Sequence, residues 1–394
     1  MIVGIDIRVL GNETKSGIEE YTENLLAHLL PLDSKIKFKL FYSSRKSNLK
    51  DYSLFGKTQG HTERSRMYDW LGLPNVELKQ FQIPSKLLFG SSRFLDRPHI
   101  DKMIGGVDVF FSPHFILTSL SPECRRVVTF HDLSYEHFPE FFSWRRNLWH
   151  GFEMKPTWQS KLADRIIAVS ESTKEDLIKK YEVDPVKIRV VYSGTDPDIK
   201  RPEDGLLEEF RIKNHLPKKF ILFLGKLEPR KNIMSLVKAF KSLKEENRYK
   251  DLRLVIAGSR GWLDETIFRE ARSGNYKDQV LFIDQISDRD RKYYYSLASI
   301  FIYPSFFEGF GLPPVEAMSC GTPVITSHGS SLPEVMGEAG LMIDSHNIND
   351  LKSSISLLLE NQKLATHLSA IGLKKARSFS WHRAANETLE CLVR

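Results

Sequence analysis

Short apolar segments alternate with amphipathic helical segments twice along the chain, and this pattern is the strongest constraint on its fold. Strands that alternate with helices pair in parallel, with helices on both faces of the sheet. The first series predicts strands at residues 2–10, 38–42, 107–112, 126–130, 165–170 and 188–192, with helices after residue 17 and at 172–180. The second predicts strands at residues 220–224, 252–257, 280–283, 300–303 and 323–326, and helices at 232–246, 288–298, 314–319 and 349–360. The sequence therefore predicts an α/β chain with two parallel sheets.

A charged segment that contains prolines separates the two series. Residues 197–217 have no sustained apolar period and are predicted to link an N-terminal domain, residues 1–196, to a C-terminal domain, residues 218–376. Residues 377–394 predict a final amphipathic helix, whereas residues 43–100 match no pattern that predicts an element. With 394 residues, the chain can bury sizeable cores without disulfides or metals.

Charge and cysteine content narrow the classes of partner and compartment. The chain has 57 Lys and Arg against 50 Asp and Glu, a net charge of +7, which favours anionic partners such as phosphorylated small molecules or an acidic membrane surface. Because the basic residues are spread evenly, nucleic acid is not expected as a partner. The 3 cysteines lack metal-binding spacing, the N-terminus lacks a signal-peptide pattern, and no apolar stretch reaches the roughly 18 residues of a membrane span. We therefore expect a cytoplasmic protein.

Ligands of open parallel sheets bind at loops that follow the carboxyl ends of strands, and two such loops lie in the first half. The loop from Gly11 to Gly17 precedes a helix, where glycine and free N–H groups favour either an anion site or a tight turn. It lacks the GxGxxG spacing of a dinucleotide site. His131 follows the strand at 126–130, where it either serves a ligand site or bonds to neighbouring backbone.

The second half has two further loops with stronger signals. After the strand at 220–224 come Gly225, Arg230 and Lys231, and cations at the start of a helix oppose its dipole unless an anion binds there. Such charges would stabilise a departing diphosphate. After the strand at 300–303, Glu308 and Glu316 flank a Gly-Phe-Gly-Leu-Pro-Pro stretch, and carboxylates of this kind accept hydrogen bonds from vicinal sugar hydroxyls. For Glu316, the alternative is a structural role that complements the helix dipole.

These residues resemble the motifs of a known family. Glu308 and Glu316 form the Glu-x7-Glu pattern of retaining glycosyltransferases of family 4, within a stretch over residues 307–324 that is similar to the family signature. Residues 227–232, 130–133 and 4–9 are similar to further family motifs. The resemblance implies the GT-B fold, in which two Rossmann-like domains face each other across a cleft and a C-terminal helix crosses back to the first domain.

The resemblance also implies roles for individual residues. Arg230 and Lys231 would hold the donor diphosphate, and His131 would contact the transferred sugar. Further donor contacts are implied for Gly17, Gly225, Ile286, Glu308, Phe310, Gly311, Leu312 and Glu316. Among these, Glu316 would bind the ribose, backbone near Ile286 the base, and Glu308 the sugar hydroxyls. No metal and no cofactor are implied, and Ser16 stands where many relatives have the first of two glycines.

The resemblance thus implies a retaining, metal-independent transferase that moves a hexose, with mannose from GDP-mannose favoured, to a saccharide or lipid-linked saccharide in cell-surface polysaccharide synthesis. A UDP-hexose transferase, a nucleotide-sugar epimerase, a phosphorylase, a non-catalytic binding protein and an NAD-dependent oxidoreductase are the alternatives. Basic and aromatic residues between Arg64 and Arg97 predict either peripheral contact with the inner face of an anionic membrane or a solvated loop.

Overall fold

The computed structural model describes residues 1–11, 17–44, 69–144, 154–262 and 265–394. The chain divides into two compact units. The N-terminal unit comprises Met1–Leu133, Trp144–Gly194 and Trp381–Arg394, and the C-terminal unit comprises Ser134–Ser143 and Thr195–Ser380.

The N-terminal unit is built on a parallel sheet of 7 strands in the order β3-β2-β1-β4-β5-β6-β7. Its strands are β1 Ile2–Asp6, β2 Lys37–Ser43, β3 Val76–Phe81, β4 Val109–Ser112, β5 Arg125–Phe130, β6 Arg165–Ala168 and β7 Ile188–Val190. Its α-helices are α1 Gly17–Leu29, α2 Ser85–Phe94, α3 Ile100–Met103, α5 Pro156–Leu162, α6 Glu171–Tyr181 and α15 Trp381–Val393. Strand β4 is buried along its whole length, as expected for a central strand with both faces covered.

The last helix of the chain packs in the N-terminal unit. The ring of Trp381 on α15 lies 5.6 Å from that of Tyr21 on α1, in an edge-to-face arrangement. Arg125 donates from Nη2 to the carbonyl of Leu392 at 2.8 Å. The prediction that the terminal helix returns to the first domain is therefore confirmed.

The C-terminal unit has a parallel sheet of 6 strands in the order β10-β9-β8-β11-β12-β13. Its strands are β8 Phe220–Leu224, β9 Arg253–Ala257, β10 Val280–Ile283, β11 Ile300–Tyr303, β12 Val324–Ser327 and β13 Leu341–Ile343. Its α-helices are α4 Ser134–His137, α7 Asp204–Lys213, α8 Ile233–Lys244, α9 Glu265–Arg272, α10 Asp288–Leu297, α11 Leu312–Ser319, α12 Leu332–Met336, α13 Ile348–Glu360 and α14 Gln362–Ala376. Short 3-10 helices occur across both units at Arg8–Gly11, Asp69–Gly72, Pro139–Phe141, Pro185–Lys187, Pro229–Lys231, Asn247–Tyr249 and Lys277–Gln279.

Two predicted boundaries are wrong. The predicted linker at 197–217 contains α7, in which Leu207 is buried and the ring of Phe210 stacks on Tyr293 at 4.5 Å, so a few apolar contacts fix a helix that lacks a sustained apolar period. Residues 134–143 belong to the C-terminal unit, because aromatic side chains hold them there: the ring of Phe141 stacks on Phe306 at 5.2 Å.

The first predicted strand is also too long. Strand β1 ends at Asp6, and a 3-10 helix follows because the Asp6 carboxylate accepts from the backbone N–H of Arg8 at 3.1 Å and pairs with its guanidinium at 2.5 Å. Within residues 43–100, the structure adds β3 and α2, while residues 45–68 lie outside the described ranges. Over the ranges described, every helix falls short of the length and apolar content that crossing a bilayer requires.

Candidate functional site

The loop after β8 brings two cations to the carboxyl end of the C-terminal sheet. Strand β8 is fully buried, and the chain then passes through Gly225 into the 3-10 helix Pro229–Lys231. Asn232, in a left-handed conformation with φ of 55°, joins this turn to α8. The left-handed conformation of Asn232 changes the direction of the chain, so Arg230 and Lys231 lie in a turn that precedes α8.

Arg230 is held in place by acceptors on two loops. Its Nη2 donates to Glu228 Oε1 at 2.9 Å, and its Nη1 donates to the carbonyl of Phe307 at 2.6 Å and to Glu308 Oε2 at 3.2 Å. The side chain of Arg230 is 13% exposed and that of Glu228 is 4% exposed. The guanidinium is therefore oriented before any ligand binds.

Lys231 is the more deeply buried cation. Its Nζ donates to Glu308 Oε1 at 2.6 Å and to Tyr303 Oη at 2.5 Å. Burial lowers the pKa of Lys231, while the neighbouring Glu308 carboxylate opposes that shift. Burial also raises the pKa of Tyr303 well above its ordinary value, so its phenol stays protonated.

Glu308 joins the two cations into one cluster. Burial alone would raise the pKa of Glu308, but Arg230 and Lys231 outweigh it and hold the pKa below its ordinary value of 4.5. The carboxylate is therefore ionised at neutral pH and acts only as a hydrogen-bond acceptor. Its backbone is also fixed, because its N–H donates to Ser330 Oγ at 2.6 Å.

Glu316 lies on α11 in a separate set of contacts. Its Oε2 accepts from Tyr295 Oη at 2.7 Å, and its Oε1 lies 3.2 Å from Nη1 of Arg291. Burial, and to a smaller extent the negative charge of Glu316, raises the pKa of the Tyr295 phenol well above its ordinary value. The buried Glu316 carboxylate is therefore paired within the C-terminal unit and does more than complement a helix dipole.

The stretch between the two glutamates needs its glycine. Gly311 precedes α11 with φ of 97°, and a Cβ there would lie 2.9 Å from Leu332 Cδ2. Ser331 Oγ lies 3.0 Å from the carbonyl oxygen of Glu308 and 3.1 Å from that of Phe310. These contacts, from the segment that follows β12, hold the turn that leads into α11. The chain therefore turns sharply between Glu308 and Leu312, the first residue of α11.

The remaining predicted donor contacts also lie at the carboxyl edge of this sheet. Gly225 has φ of 156°, and its carbonyl oxygen would lie 2.0 Å from a Cβ placed on Gly258, so the loops after β8 and β9 pass each other as closely as backbone permits. Ile286 is buried in the loop between β10 and α10. Arg230, Lys231 and Glu308 thus form one contact cluster. Gly225 and Ile286 lie on neighbouring loops, and Glu316 lies on α11.

The two predicted residues of the N-terminal unit have a different environment. His131 donates from Nε2 to the carbonyl of Pro113 at 2.8 Å, and its ring meets that of Tyr21 edge-to-face at 4.6 Å. Burial lowers the pKa of His131 to about 4, so the ring is neutral at pH 7. The backbone bond that the sequence left open as an alternative is therefore present. Gly17 is the first residue of α1, whereas Ser16 and residues 12–15 of its loop lie outside the described ranges.

Sequence reasoning missed several residues that build the site. Tyr303, Arg291 and Tyr295 lie in a strand and a helix that were predicted only as structural elements. Ser330 and Ser331 follow β12 in a Gly-Ser-Ser-Leu-Pro-Glu stretch, whose glycine after a strand and proline at a helix start repeat the pattern of the Glu308 loop. This repeated pattern was the sequence signal that could have identified Ser330 and Ser331 as part of the site. In the part of the chain that the structure describes, no group of His, Cys, Asp and Glu side chains is arranged to hold a metal ion.

Comparisons with known proteins agree on the family. The sequence model described as "Glycosyltransferase Family 4" matches residues 16–199, and the one described as "Glycosyl transferases group 1" matches residues 207–375. The chain is 32% identical over 285 residues to O-antigen chain mannosyltransferase B of Escherichia coli, in a match that covers 71% of this chain and 73% of that relative.

Solved structures with low sequence identity share the fold over nearly the whole chain. Sucrose-phosphate synthase from Thermosynechococcus elongatus superposes with a TM-score of 0.75 at 19% identity, covering 99% of this chain and 97% of that one. Anabaena HepE in complex with UDP and glucose superposes with a TM-score of 0.73 at 16% identity, covering 99% and 98%. Together with the matches in both halves, these findings show that the chain has the GT-B fold and belongs to glycosyltransferase family 4.

Proposed function

We propose that this glycosyltransferase moves mannose from GDP-mannose to a saccharide or lipid-linked saccharide acceptor, with retention of configuration and without a metal ion. The observation that carries the proposal is the buried cluster of Arg230, Lys231 and Glu308. The relative named as an O-antigen chain mannosyltransferase supports mannose as the sugar.

The two cations suit the diphosphate of a nucleotide sugar. Arg230 offers a planar fork of donors, and Lys231 places a compact charge beside it. Both are buried, so water screens their charges only weakly and they would stabilise the negative charge of a departing diphosphate strongly. Since Glu228 and Glu308 already orient them, little reorganisation is needed when the leaving group departs.

Glu308 fits the role of a hydroxyl acceptor better than that of a nucleophile. Its carboxylate is engaged by Lys231 at 2.6 Å and by Arg230 at 3.2 Å, which stabilises its charge and lowers its nucleophilicity. An ionised carboxylate still has lone pairs to accept bonds from sugar hydroxyls. We propose that Glu308 holds the sugar while the cations hold the diphosphate.

The proposed step balances without a protein nucleophile. The bond between the anomeric carbon and the phosphate oxygen breaks, and the electron pair leaves with the diphosphate. The acceptor hydroxyl attacks the oxocarbenium-like carbon from the same face, and its proton passes to a diphosphate oxygen. His131, neutral at pH 7, would contribute hydrogen bonding to the sugar and no positive charge.

A lipid-linked acceptor would place the protein at a membrane, and α2 offers a surface for an anionic bilayer. Leu87, Phe94 and Leu95 are 64%, 73% and 71% exposed, although they are large and apolar. Lys86 and Arg97 lie beside them and are also exposed. Apolar side chains flanked by cations complement an anionic membrane surface. Arg64, from which the predicted contact region began, lies outside the described residues.

The donor proposal is tested by thermal unfolding in EDTA with GDP, UDP, ADP and NAD. We expect stabilisation by GDP that is lost in Arg230→Gln and kept in Lys238→Gln, since Lys238 is an exposed cation on α8 of the same unit. GDP-mannose should then give an α-linked product in EDTA, detected by NMR of the anomeric proton. Stabilisation by UDP alone would favour a UDP-hexose donor, and stabilisation by NAD or by none of the four would refute the proposal.

The membrane proposal is tested by co-sedimentation with vesicles. Vesicles that contain phosphatidylglycerol should retain the wild-type protein and release the Leu87→Asp, Phe94→Asp double variant. Leu357→Asp, at an apolar residue on α13 that is 46% exposed, is the matched control. Equal binding of the double variant and the control would contradict α2 as the contact surface.

A further inference from the structure

Ser330, in the segment between β12 and α12, has a backbone conformation that serine seldom adopts. Its φ is 49°, in the left-handed region that is unfavourable for L-residues other than glycine, asparagine and aspartate. Such a conformation persists only where the surrounding structure imposes it, and residues of this kind cluster at functional sites. The reason for a serine at this position lies in what its hydroxyl binds.

The segment over residues 327–331 lies against the loop that carries Glu308. A Cβ on Gly329 would lie 2.5 Å from the carbonyl oxygen of Phe306, so the two backbones are as close as a glycine allows. The first residue of the segment, a buried serine, donates from its hydroxyl to the carbonyl of Ser305. The segment therefore supports the Glu308 loop from its start.

Two serine hydroxyls bind the backbone on both sides of the Glu308 side chain. Ser330 Oγ accepts from the N–H of Glu308 at 2.6 Å, and Ser331 Oγ donates to the carbonyl of Glu308 at 3.0 Å. Both Glu308 and Ser331 are buried. The Cα of Glu308 lies between these two bonds, so the bonds set the position and direction from which its side chain starts.

The bond to Ser330 also reaches Arg230 through a single peptide group. The N–H that donates to Ser330 and the carbonyl of Phe307, which accepts from Arg230 Nη1 at 2.6 Å, belong to the same peptide unit. Because a trans peptide unit is planar, its N–H and C=O point in opposite directions and turn together. A change at the Ser330 end would therefore move the acceptor of Arg230, and with it the carboxylate that pairs with Lys231 at 2.6 Å.

We infer that Ser330 is a positioning residue for sugar transfer, because its hydroxyl fixes the peptide group between Phe307 and Glu308. Through this group it orients the Arg230 guanidinium and the Glu308 carboxylate. The inference rests on the proposed function, in which these two groups hold the diphosphate and the sugar. The family resemblance assigns no role to the segment after β12. The hydroxyl carries the role, and the left-handed backbone is what places the hydroxyl there.

Two substitutions separate the hydroxyl from the backbone conformation. Ser330→Gly relieves the left-handed strain but removes the hydroxyl, so kcat should fall by about 10–100-fold, as expected for a small misplacement of reacting groups. Ser330→Thr keeps the hydroxyl but puts a β-branched residue at positive φ, so Tm should fall by about 2–4 °C while kcat stays within about 3-fold of the wild type. A merely structural role would give the opposite order of activities.

The rate is measured as GDP release from GDP-mannose with methyl α-mannoside as the acceptor, and Tm by thermal unfolding. Titration calorimetry gives the affinity for GDP. Because Arg230 and Lys231 remain in Ser330→Gly, its affinity for GDP should stay within about 3-fold of the wild type, so the loss should appear in kcat. His215→Gly, at an exposed residue of the same unit with φ of 53°, is the matched control and should keep the wild-type kcat.

The outcomes separate the inference from the proposed function. A wild-type kcat in Ser330→Gly, or a loss of kcat in Ser330→Thr that follows its lower Tm, would overturn the positioning role while leaving the donor site intact. An equal fall of kcat in His215→Gly and Ser330→Gly would overturn it as well. If the wild type neither bound GDP nor released it from GDP-mannose, the proposed function would fail and this inference with it.

Discussion

Replacing Glu308 by Gln should destabilise the C-terminal unit while leaving the shape of the side chain almost unchanged. In the native structure, the carboxylate lies 2.6 Å from Lys231 Nζ and 3.2 Å from Arg230 Nη1, and all three side chains are largely buried. The neutral amide of the variant would remove the carboxylate that pairs with both buried cations, while the pair between Arg230 and Glu228 would remain. Removing one partner of a buried ion pair costs about 3–5 kcal/mol, and because the amide oxygen still accepts hydrogen bonds, we expect about 3 kcal/mol.

Urea and thermal unfolding measure this loss. For a unit of this size, about 3 kcal/mol corresponds to a fall in Tm of about 6–12 °C. Glu338→Gln, at an exposed carboxylate of the same unit, is the control and should stay within about 0.5 kcal/mol of the wild type. A loss below about 1 kcal/mol in Glu308→Gln would show that the cluster is screened far more than its burial implies.

The pH dependence of the same variant checks the cause. Because the folded-state pKa of Glu308 lies below its ordinary value of 4.5, its contribution is present above that pH and is lost as the pH falls through the lower value. The stability difference between wild type and Glu308→Gln should therefore be constant at neutral pH and shrink below pH 4.5. A difference that persisted unchanged into strong acid would refute an electrostatic origin.

Measuring GDP binding and the transfer rate of Glu308→Gln separates the structural role of Glu308 from its proposed role in catalysis. Since Glu308 engages both cations, Glu308→Gln should bind GDP at least as tightly as the wild type does. Its transfer rate should nevertheless fall by about 100-fold, because the proposed hydroxyl contact is lost. Weakened GDP binding together with unchanged transfer would contradict both assignments.

Three further perturbations test other parts of the structure. His131→Asn should remove part of the acid sensitivity of the N-terminal unit. Because the folded-state pKa of His131 is about 4, the free energy of unfolding of the wild type falls as the pH drops from 6.5 to 4. The full shift corresponds to a loss of up to about 3 kcal/mol, and because the ring is partly exposed we expect about 1–2 kcal/mol. Gly258→Ala should cost about 2–4 kcal/mol, since its Cβ would overlap the backbone of the preceding loop and its φ is positive. Trp381→Ala should lower the free energy of unfolding by about 3–5 kcal/mol, because it leaves a cavity where α15 packs against α1.

The first two of these have matched controls, and all three have a contrary outcome. His382→Asn alters an exposed histidine of the same unit, and equal pH profiles for it and His131→Asn would contradict the buried titration. Gly205→Ala adds a Cβ in open space, so it should not destabilise; a similar loss there would remove the steric explanation. If deletion of residues 381–394 left the N-terminal unit as stable as before, the terminal helix would not be part of its core.

Local sequence patterns were sufficient for most of the elements. The predicted helices of the C-terminal half lie within two residues of α8, α10, α11 and α13, because each has an apolar face at helical spacing. Helix α7 was missed because its segment has no sustained apolar period, with Leu207 as its buried residue, and the short strand β13 was missed as well. Burial by distant neighbours, which spacing does not encode, fixes both.

The sequence by itself predicted where a donor site would lie, because Arg230, Lys231, Glu308 and Glu316 occur after strand ends where ligands of parallel sheets bind. Only the tertiary structure decided how they are paired. Glu308 meets Lys231 across 77 residues of chain, and Glu316 meets Tyr295 and Arg291 instead, because strand order sets which loops are neighbours. The bond between Ser330 and the Glu308 backbone likewise exists only once β11 and β12 are paired, since the two residues are 22 positions apart in sequence.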